Sequence, residues 1–158
     1  MSQATMTKFI YFEDLSVGQR FHSASVEMTA EEIIRFARDN DPQFFHVDEE
    51  AARGSVFGEL VASGWQTAAL TVRLILESAE APFAGGVVGA DVHVSWKHPV
   101  RPGDRLRIES EITKMVAPRS RPDRGFVTFL TTTFNQDDAP VQTMQSTIVV
   151  FRDPARSG

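Results

Sequence analysis

Asp41 and His46 stand five residues apart in the run Phe36-Ala-Arg-Asp-Asn-Asp-Pro-Gln-Phe-Phe-His46. A carboxylate and an imidazole around one water molecule could take a proton from it and deliver one elsewhere. Further along, Ala62-Ser63-Gly64-Trp65 opens an apolar stretch. A helix starting there aims unpartnered backbone amides outward, and such amides can hold a developing negative charge. Glycine lets a carbonyl come close to that backbone. From spacing alone, both features also have plainer readings. Asp41 could close a helix before Pro42, His46 could be a packed loop residue, and Ser63-Gly64 could be an ordinary N-cap pair.

The flanking elements must position these residues. Thr29-Ala30-Glu31-Glu32 has the spacing of a capping box and predicts a helix start. Ile33, Ile34, Phe36 and Ala37 then share one face. Pro42 disfavours a helical Asp41, so the helix is expected to end near Asn40. Asp48 reads as the next N-cap, with Glu49 and Glu50 in the favourable first turn and Gly54 as the stop. His46 thus falls in the loop just ahead of a short helix. From Ala62-Ser63-Gly64-Trp65 to about Ser78 a longer helix is expected. Its Ala68, Ala69, Leu70, Val72, Leu74, Ile75 and Leu76 are apolar almost all round, which predicts burial.

Strand signals surround these helices. One strand is expected over Arg20 to Met28. Period-two alternation marks Val92, Val94 and Trp96, and then Leu106, Ile108, Ser110 and Ile112. Between them lies the turn Pro99-Val-Arg-Pro-Gly-Asp104. Phe126 to Phe134 and Val141 to Phe151 form a hairpin across Gln136 to Ala139. Strands and helices segregated in this way imply an α+β fold with an antiparallel sheet. An apolar helix needs such a sheet curved around it, the arrangement called a hot dog. Its edge strands invite edge-to-edge pairing with a second copy, hence a homodimer.

Composition sets the bounds. The chain has 158 residues, 42% hydrophobic and 23% charged, enough for one domain with a real core. A single domain is expected over 8–153, with flexible tails at 1–7 and 154–158. The net charge of -5 argues against a nucleic-acid surface. Cysteine is absent, which removes disulfides and thiolate chemistry and suits the cytoplasm. The N-terminus lacks the apolar core of a signal peptide, and no apolar run is long enough to span a membrane.

Three segments together resemble the MaoC-like dehydratases, a family that includes the R-specific enoyl-CoA hydratases. They are Phe36 to His46, Phe57-Gly-Glu-Leu-Val-Ala-Ser-Gly64, and Trp96-Lys-His-Pro-Val-Arg-Pro-Gly-Asp104. The resemblance runs from about Phe12 to Phe151. It implies reversible hydration of a 2-enoyl thioester to an (R)-3-hydroxyacyl thioester, at the mouth of an acyl-binding tunnel. Asp41 and His46 would activate water, and Gly64 would meet the thioester oxygen. Ser63, Phe45, Phe57 and Trp65 would contact substrate. Many members read Asp-x-Asn-Pro-x-His and carry His-Gly at the long helix start. Here the loop is Asp41-Pro-Gln-Phe-Phe-His46 and the helix start is Ser63-Gly64. A serine common in the family two turns into that helix corresponds to Thr71 or Val72.

The expected partners are acyl-CoA or an acyl carrier protein thioester, with coenzyme A only as part of the substrate and no separate cofactor. Arg121 and Arg124 lie in the basic loop Arg119-Ser-Arg-Pro-Asp-Arg124. That loop is either a solvated turn or a contact for the phosphates of coenzyme A. A hot-dog thioesterase and a non-catalytic acyl-CoA sensor are the rival functions. His22, His46, His93 and His98 are scattered and do not have metal-ligand spacing. The glycines at 85, 86 and 89 lack the Lys-Ser/Thr ending of a phosphate loop, and no serine sits in a nucleophile elbow.

Overall fold

A computed structural model describes residues 8–156. The expected tail at 1–7 lies outside them, as do residues 157–158. Residues 154–156 are tied down rather than loose. The Arg156 guanidinium donates to Asp14 Oδ1 at 3.0 Å and to Asp153 Oδ2 at 2.8 Å.

Six antiparallel strands form the sheet: β1 (Arg20–His22), β2 (Val26–Glu27), β3 (Val88–Trp96), β4 (Arg105–Val116), β5 (Arg124–Phe134) and β6 (Pro140–Phe151). Their order is β1-β4-β5-β6-β3, and β2 also pairs with β4. The strand expected over Arg20 to Met28 is therefore two short ones. Ser23 makes the break, because its hydroxyl accepts from Ile108 N at 2.9 Å in place of a backbone partner.

Among the described residues four α-helices accompany the sheet, α1 (Ala30–Asn40), α2 (Phe44–Val47), α3 (Glu49–Ala52) and α4 (Gly64–Ser78), with a 3-10 turn at Phe12–Asp14. Thr29 caps α1 by accepting from Glu32 N at 3.2 Å. Asp48 caps α3 by accepting from Glu50 N and Ala51 N, each at 2.9 Å. His46 belongs to the single turn α2, not to a loop. Gly103, at φ 89°, makes the turn after Pro102 possible. Asp104 locks that turn by accepting from Arg101 N and from Gln136 Nε2, both at 2.9 Å.

Helix α4 lies against one face of the sheet, but it is not buried all round. Thr67, Ala68, Thr71 and Leu74 face inward. Val72 and Leu76 are 43% and 47% exposed. The reason is geometric: the sheet covers one flank of the helix and leaves the opposite one open. The core itself divides in two. Near α1 and α3, Met28, Ile33, Leu60, Val100, Leu106 and Val141 form one apolar cluster. At the other end Leu15, Phe83, Ile112, Val127, Phe129 and Ile148 form a second. Full burial of each large side chain stabilises by about 1.5–3 kcal/mol. Between the clusters the sheet face carries polar residues. Ser110, Thr131, Thr133 and Gln142 are all buried there. They satisfy one another: Ser110 Oγ and Thr131 Oγ1 share a hydrogen bond of 2.7 Å, as do Thr71 Oγ1 and Thr133 Oγ1.

Candidate active site

The end of α1 delivers Asp41. Its N–H still donates to Ala37 O at 2.8 Å, and Pro42 then turns the chain away. Gln43 N donates back to Asp41 O at 2.8 Å, which prepares the single turn α2. That turn carries His46 to a buried position, 5% exposed. Its Nδ1 lies 2.6 Å from Val61 O. A carbonyl only accepts, so Nδ1 bears a proton and Nε2 faces Asp41 Oδ2 at 3.3 Å. Val61 N in turn donates to Phe45 O at 3.1 Å, clamping α2 to the connector before α4.

Asp41 is held from three sides. Ser63 Oγ donates to Oδ2 at 2.7 Å, and Gln43 Nε2 donates to Oδ1 at 2.7 Å. Burial pushes the carboxyl pKa up. The bonds from Ser63 and Gln43 and the neighbouring His46 outweigh it and hold the pKa below the usual carboxylate range. Asp41 is therefore ionised at neutral pH. Two bonds at Oδ2 and Oδ1 leave a carboxylate lone pairs to spare for a water.

Ser63 is the joint between Asp41 and α4. It is fully buried, and its hydroxyl also accepts from Trp65 N at 3.3 Å as the N-cap. The expected substrate contact by Ser63 is thus corrected: a side chain with no exposure aligns Asp41 and caps the helix. Gly64 follows as the first helical residue, and its N–H has no acceptor among the described residues. Glycine is needed for a reason the sequence did not suggest. The indole of Trp96 packs on it, and a Cβ there would sit 2.5 Å from Trp96 Cε2. Trp96 Nε1 donates to Gly64 O and to Gln142 Oε1, both at 3.0 Å.

A cavity of about 420 Å³ opens onto these groups. Asp41, His46 and Gly64 line it. So do Phe45, Phe57 and Trp65, the three aromatics expected at the site. Phe45 packs edge-on against both His46 and Phe57, with centroids at 4.5 and 5.3 Å. Trp65 meets Trp96 edge-on at 5.1 Å. Phe44 instead turns outward, half exposed. Two members escaped the sequence reading. Gln43 looked like filler in an altered loop, and Trp96 looked like one more alternating strand residue. Trp96 has no local signal, since its partners Gly64 and Gln142 lie far along the chain. Gln43 reaches back only to Asp41, and that two-residue spacing is the one available clue.

Arg121 and Arg124 are not at this site. Arg124 pairs with Phe151 in the sheet, whereas the cavity is lined by Val141. The two ends of the 12-residue β6 are on the order of 35 Å apart. Arg124 is also engaged, with Nη2 donating to Asp123 Oδ2 at 2.6 Å. Within one chain the basic loop therefore cannot touch a ligand in the cavity. Lys97 and His98 supply basic groups at the cavity instead. Among the described residues the cavity does not continue between α4 and the sheet past Thr67. The deepest α4 residue lining the cavity is Thr67, and Thr71 beneath it is sealed by hydrogen bonds to Thr133 and Gln142. The hydroxyl two turns into α4 is that of Thr71, while Val72 points outward. No cluster of three His, Asp or Glu among the described residues could hold a metal, and none of their helices is long and apolar enough to cross a membrane.

Comparison with known proteins bears on the fold and the family. The MaoC-like dehydratase of Rhodospirillum rubrum superposes with a TM-score of 0.86 at 48% identity, covering 92% of this chain and 99% of that one. The uncharacterised protein YdeM of Bacillus subtilis is 32% identical over 143 residues, 89% of this chain and 98% of its own. The (R)-specific enoyl-CoA hydratase of R. rubrum is 33% identical over 127 residues, 77% of this chain and 79% of its own. The fold is the α+β hot dog that the order of elements implied. The MaoC-like domain profile matches residues 14–133, from the first turn to the last residues of β5, and the chain belongs to that family.

Proposed function

We propose that this protein is a hydro-lyase that reversibly adds water across the C2–C3 double bond of a 2-enoyl thioester. The observation that carries the reading is the Asp41–His46 pair, 3.3 Å apart on a cavity wall with the His46 Nδ1 proton held by Val61 O, so that Nε2 is left to move a proton. In the forward direction His46 begins protonated on both nitrogens. Asp41 takes a proton from water as the oxygen bonds to C3. The π electrons move onto the thioester, and the Gly64 N–H meets the negative oxygen. His46 gives its Nε2 proton to C2. The proton on Asp41 then returns to Nε2, and the pair is reset. The likeness to the (R)-specific enoyl-CoA hydratase of R. rubrum supports the R configuration at C3.

The test uses crotonyl-CoA. Loss of enoyl absorbance without release of free thiol supports hydration. Release of thiol instead would assign a thioesterase, and tight binding with neither change would assign a sensor. The Asp41→Asn variant should fold and bind ligand but turn over at a vanishing rate.

The same reading extends to assembly. Among the described residues the outer edge of β3 is unpaired, and Val88 and Val92 on that strand are 55% and 54% exposed. Such an edge invites a strand from a second copy. A homodimer joined at β3 is the assembly this edge supports, and sedimentation measures it.

A further inference from the structure

We propose that this site is built for short-chain enoyl thioesters, and that Trp96, Gln142 and Thr71 form the floor that excludes longer acyl groups. The inference rests on the hydratase reading above. It starts from where the cavity stops.

Gly64 N–H marks where the thioester oxygen binds. The deepest residue of α4 on the cavity wall is Thr67. From Gly64 to Thr67 the helix advances about 4.5 Å, the reach of roughly three or four carbon–carbon bonds. Beyond it, a path between helix and sheet would have to pass Thr71, Thr133 and Gln142. All three are fully buried. Gln142 Nε2 donates to Thr71 Oγ1 at 2.9 Å, and Thr71 shares a 2.7 Å bond with Thr133. The other end of the Gln142 amide accepts from Trp96 Nε1 at 3.0 Å. Trp96 itself lies against Gly64 and lines the cavity.

Every polar atom in this chain of contacts already has a partner. An alkyl tail pushed through would separate them and leave buried donors and acceptors unsatisfied, with nothing polar on the tail to replace them. An apolar sheet face would behave oppositely and reward each added methylene with about fourfold in affinity. The two apolar core clusters lie on either side of this polar layer, not along it. Acyl length is thus limited by hydrogen-bond satisfaction as well as by volume.

Two measurements on the wild-type protein test this. The first is kcat/KM over crotonyl-CoA, hexenoyl-CoA and octenoyl-CoA. The expected result is a maximum at crotonyl-CoA and a fall on the order of tenfold or more by octenoyl-CoA. The second is calorimetric affinity for the unreactive butyryl-CoA and octanoyl-CoA. The expected result is no gain from the longer chain. A kcat/KM that holds or rises to octenoyl-CoA overturns the proposal. So does an affinity that climbs about fourfold per methylene, or a failure to bind butyryl-CoA at all. If no enoyl-CoA is hydrated, the hydratase reading fails, and the saturated series still decides the depth of the pocket. The double variant Thr71→Ala, Gln142→Ala should raise the octenoyl-to-crotonyl ratio by about tenfold. A folded variant with an unchanged ratio overturns the assignment of the floor. If the variant does not fold, the two wild-type series stand alone as the test.

Discussion

Replacing Gly64 by alanine is the sharpest single perturbation of this site. The added Cβ would lie 2.5 Å from Trp96 Cε2 and 2.8 Å from both Cδ2 and Nε1. Real Cβ atoms do not come so close, so something must move. The ring is 46% exposed as a residue and can swing outward. Doing so surrenders its bonds to Gly64 O and Gln142 Oε1. Overpacking of this kind costs about 1–3 kcal/mol. Alanine returns up to about 1 kcal/mol of helix propensity over glycine. Taking about 2 kcal/mol as the middle of the overpacking range, the net loss is about 1–2 kcal/mol, which for a chain of this size lowers Tm by about 2–8 °C. Activity should suffer more than stability. The first turn of α4 carries the amide that meets the thioester oxygen, and losing such a donor costs about 10²–10³ in kcat. Thermal melting and crotonyl-CoA turnover read the two effects separately. In a Trp96→Ala background the same change at Gly64 should no longer destabilise, a coupling that a double-mutant cycle isolates. A Gly64→Ala protein with wild-type Tm and turnover would refute both the packing argument and the role of the helix start.

Four further outcomes are expected. Asp41→Asn should reduce hydration of crotonyl-CoA to background with the circular-dichroism spectrum unchanged; a wild-type rate would remove Asp41 from the mechanism. The same variant should alter stability in acid. The folded pKa of Asp41 is depressed, so its contribution is present above the unfolded carboxylate value and lost as pH falls through the folded one. The Asn protein should therefore show a shallower fall of Tm below about pH 4. Gln43→Leu removes the donor to Asp41 Oδ1 and should raise the pKa of that carboxyl. The acid limb of kcat/KM should then move to higher pH, and an unmoved limb would show that Gln43 does not tune Asp41. Val92→Lys places a charge on the exposed β3 strand and should prevent the proposed dimer from forming in sedimentation; a dimer of unchanged affinity would place the interface elsewhere.

What could be read from the chain, and what could not, divides along sequence separation. Thr29, Pro42 and Asp48 act on neighbours one to three residues away, and the boundaries of α1 and α3 followed from them. Ser63-Gly64 marked the start of α4 for the same reason. The single turn α2 is too short for any periodicity to announce it, so His46 looked like a loop residue. The facing of α4 was out of reach for a different reason. A helix apolar nearly all round offers no local ground for choosing which side meets the sheet. The choice is made by Thr67 and Thr71, and Thr71 finds its partners in Thr133 and Gln142, on strands more than sixty residues downstream. Threonine on a greasy helix looks like a blemish until those partners are known. Once they are, the blemish becomes the reason the helix sits as it does. Turning α4 to bury Val72 and Leu76 instead would strand the Thr133 hydroxyl and the Gln142 amide in the core, at a cost of about 1–3 kcal/mol each. The buried polar layer thus fixes the rotation of α4. Through Gln142 and Trp96 it also fixes where Gly64 presents its amide to Asp41 and His46.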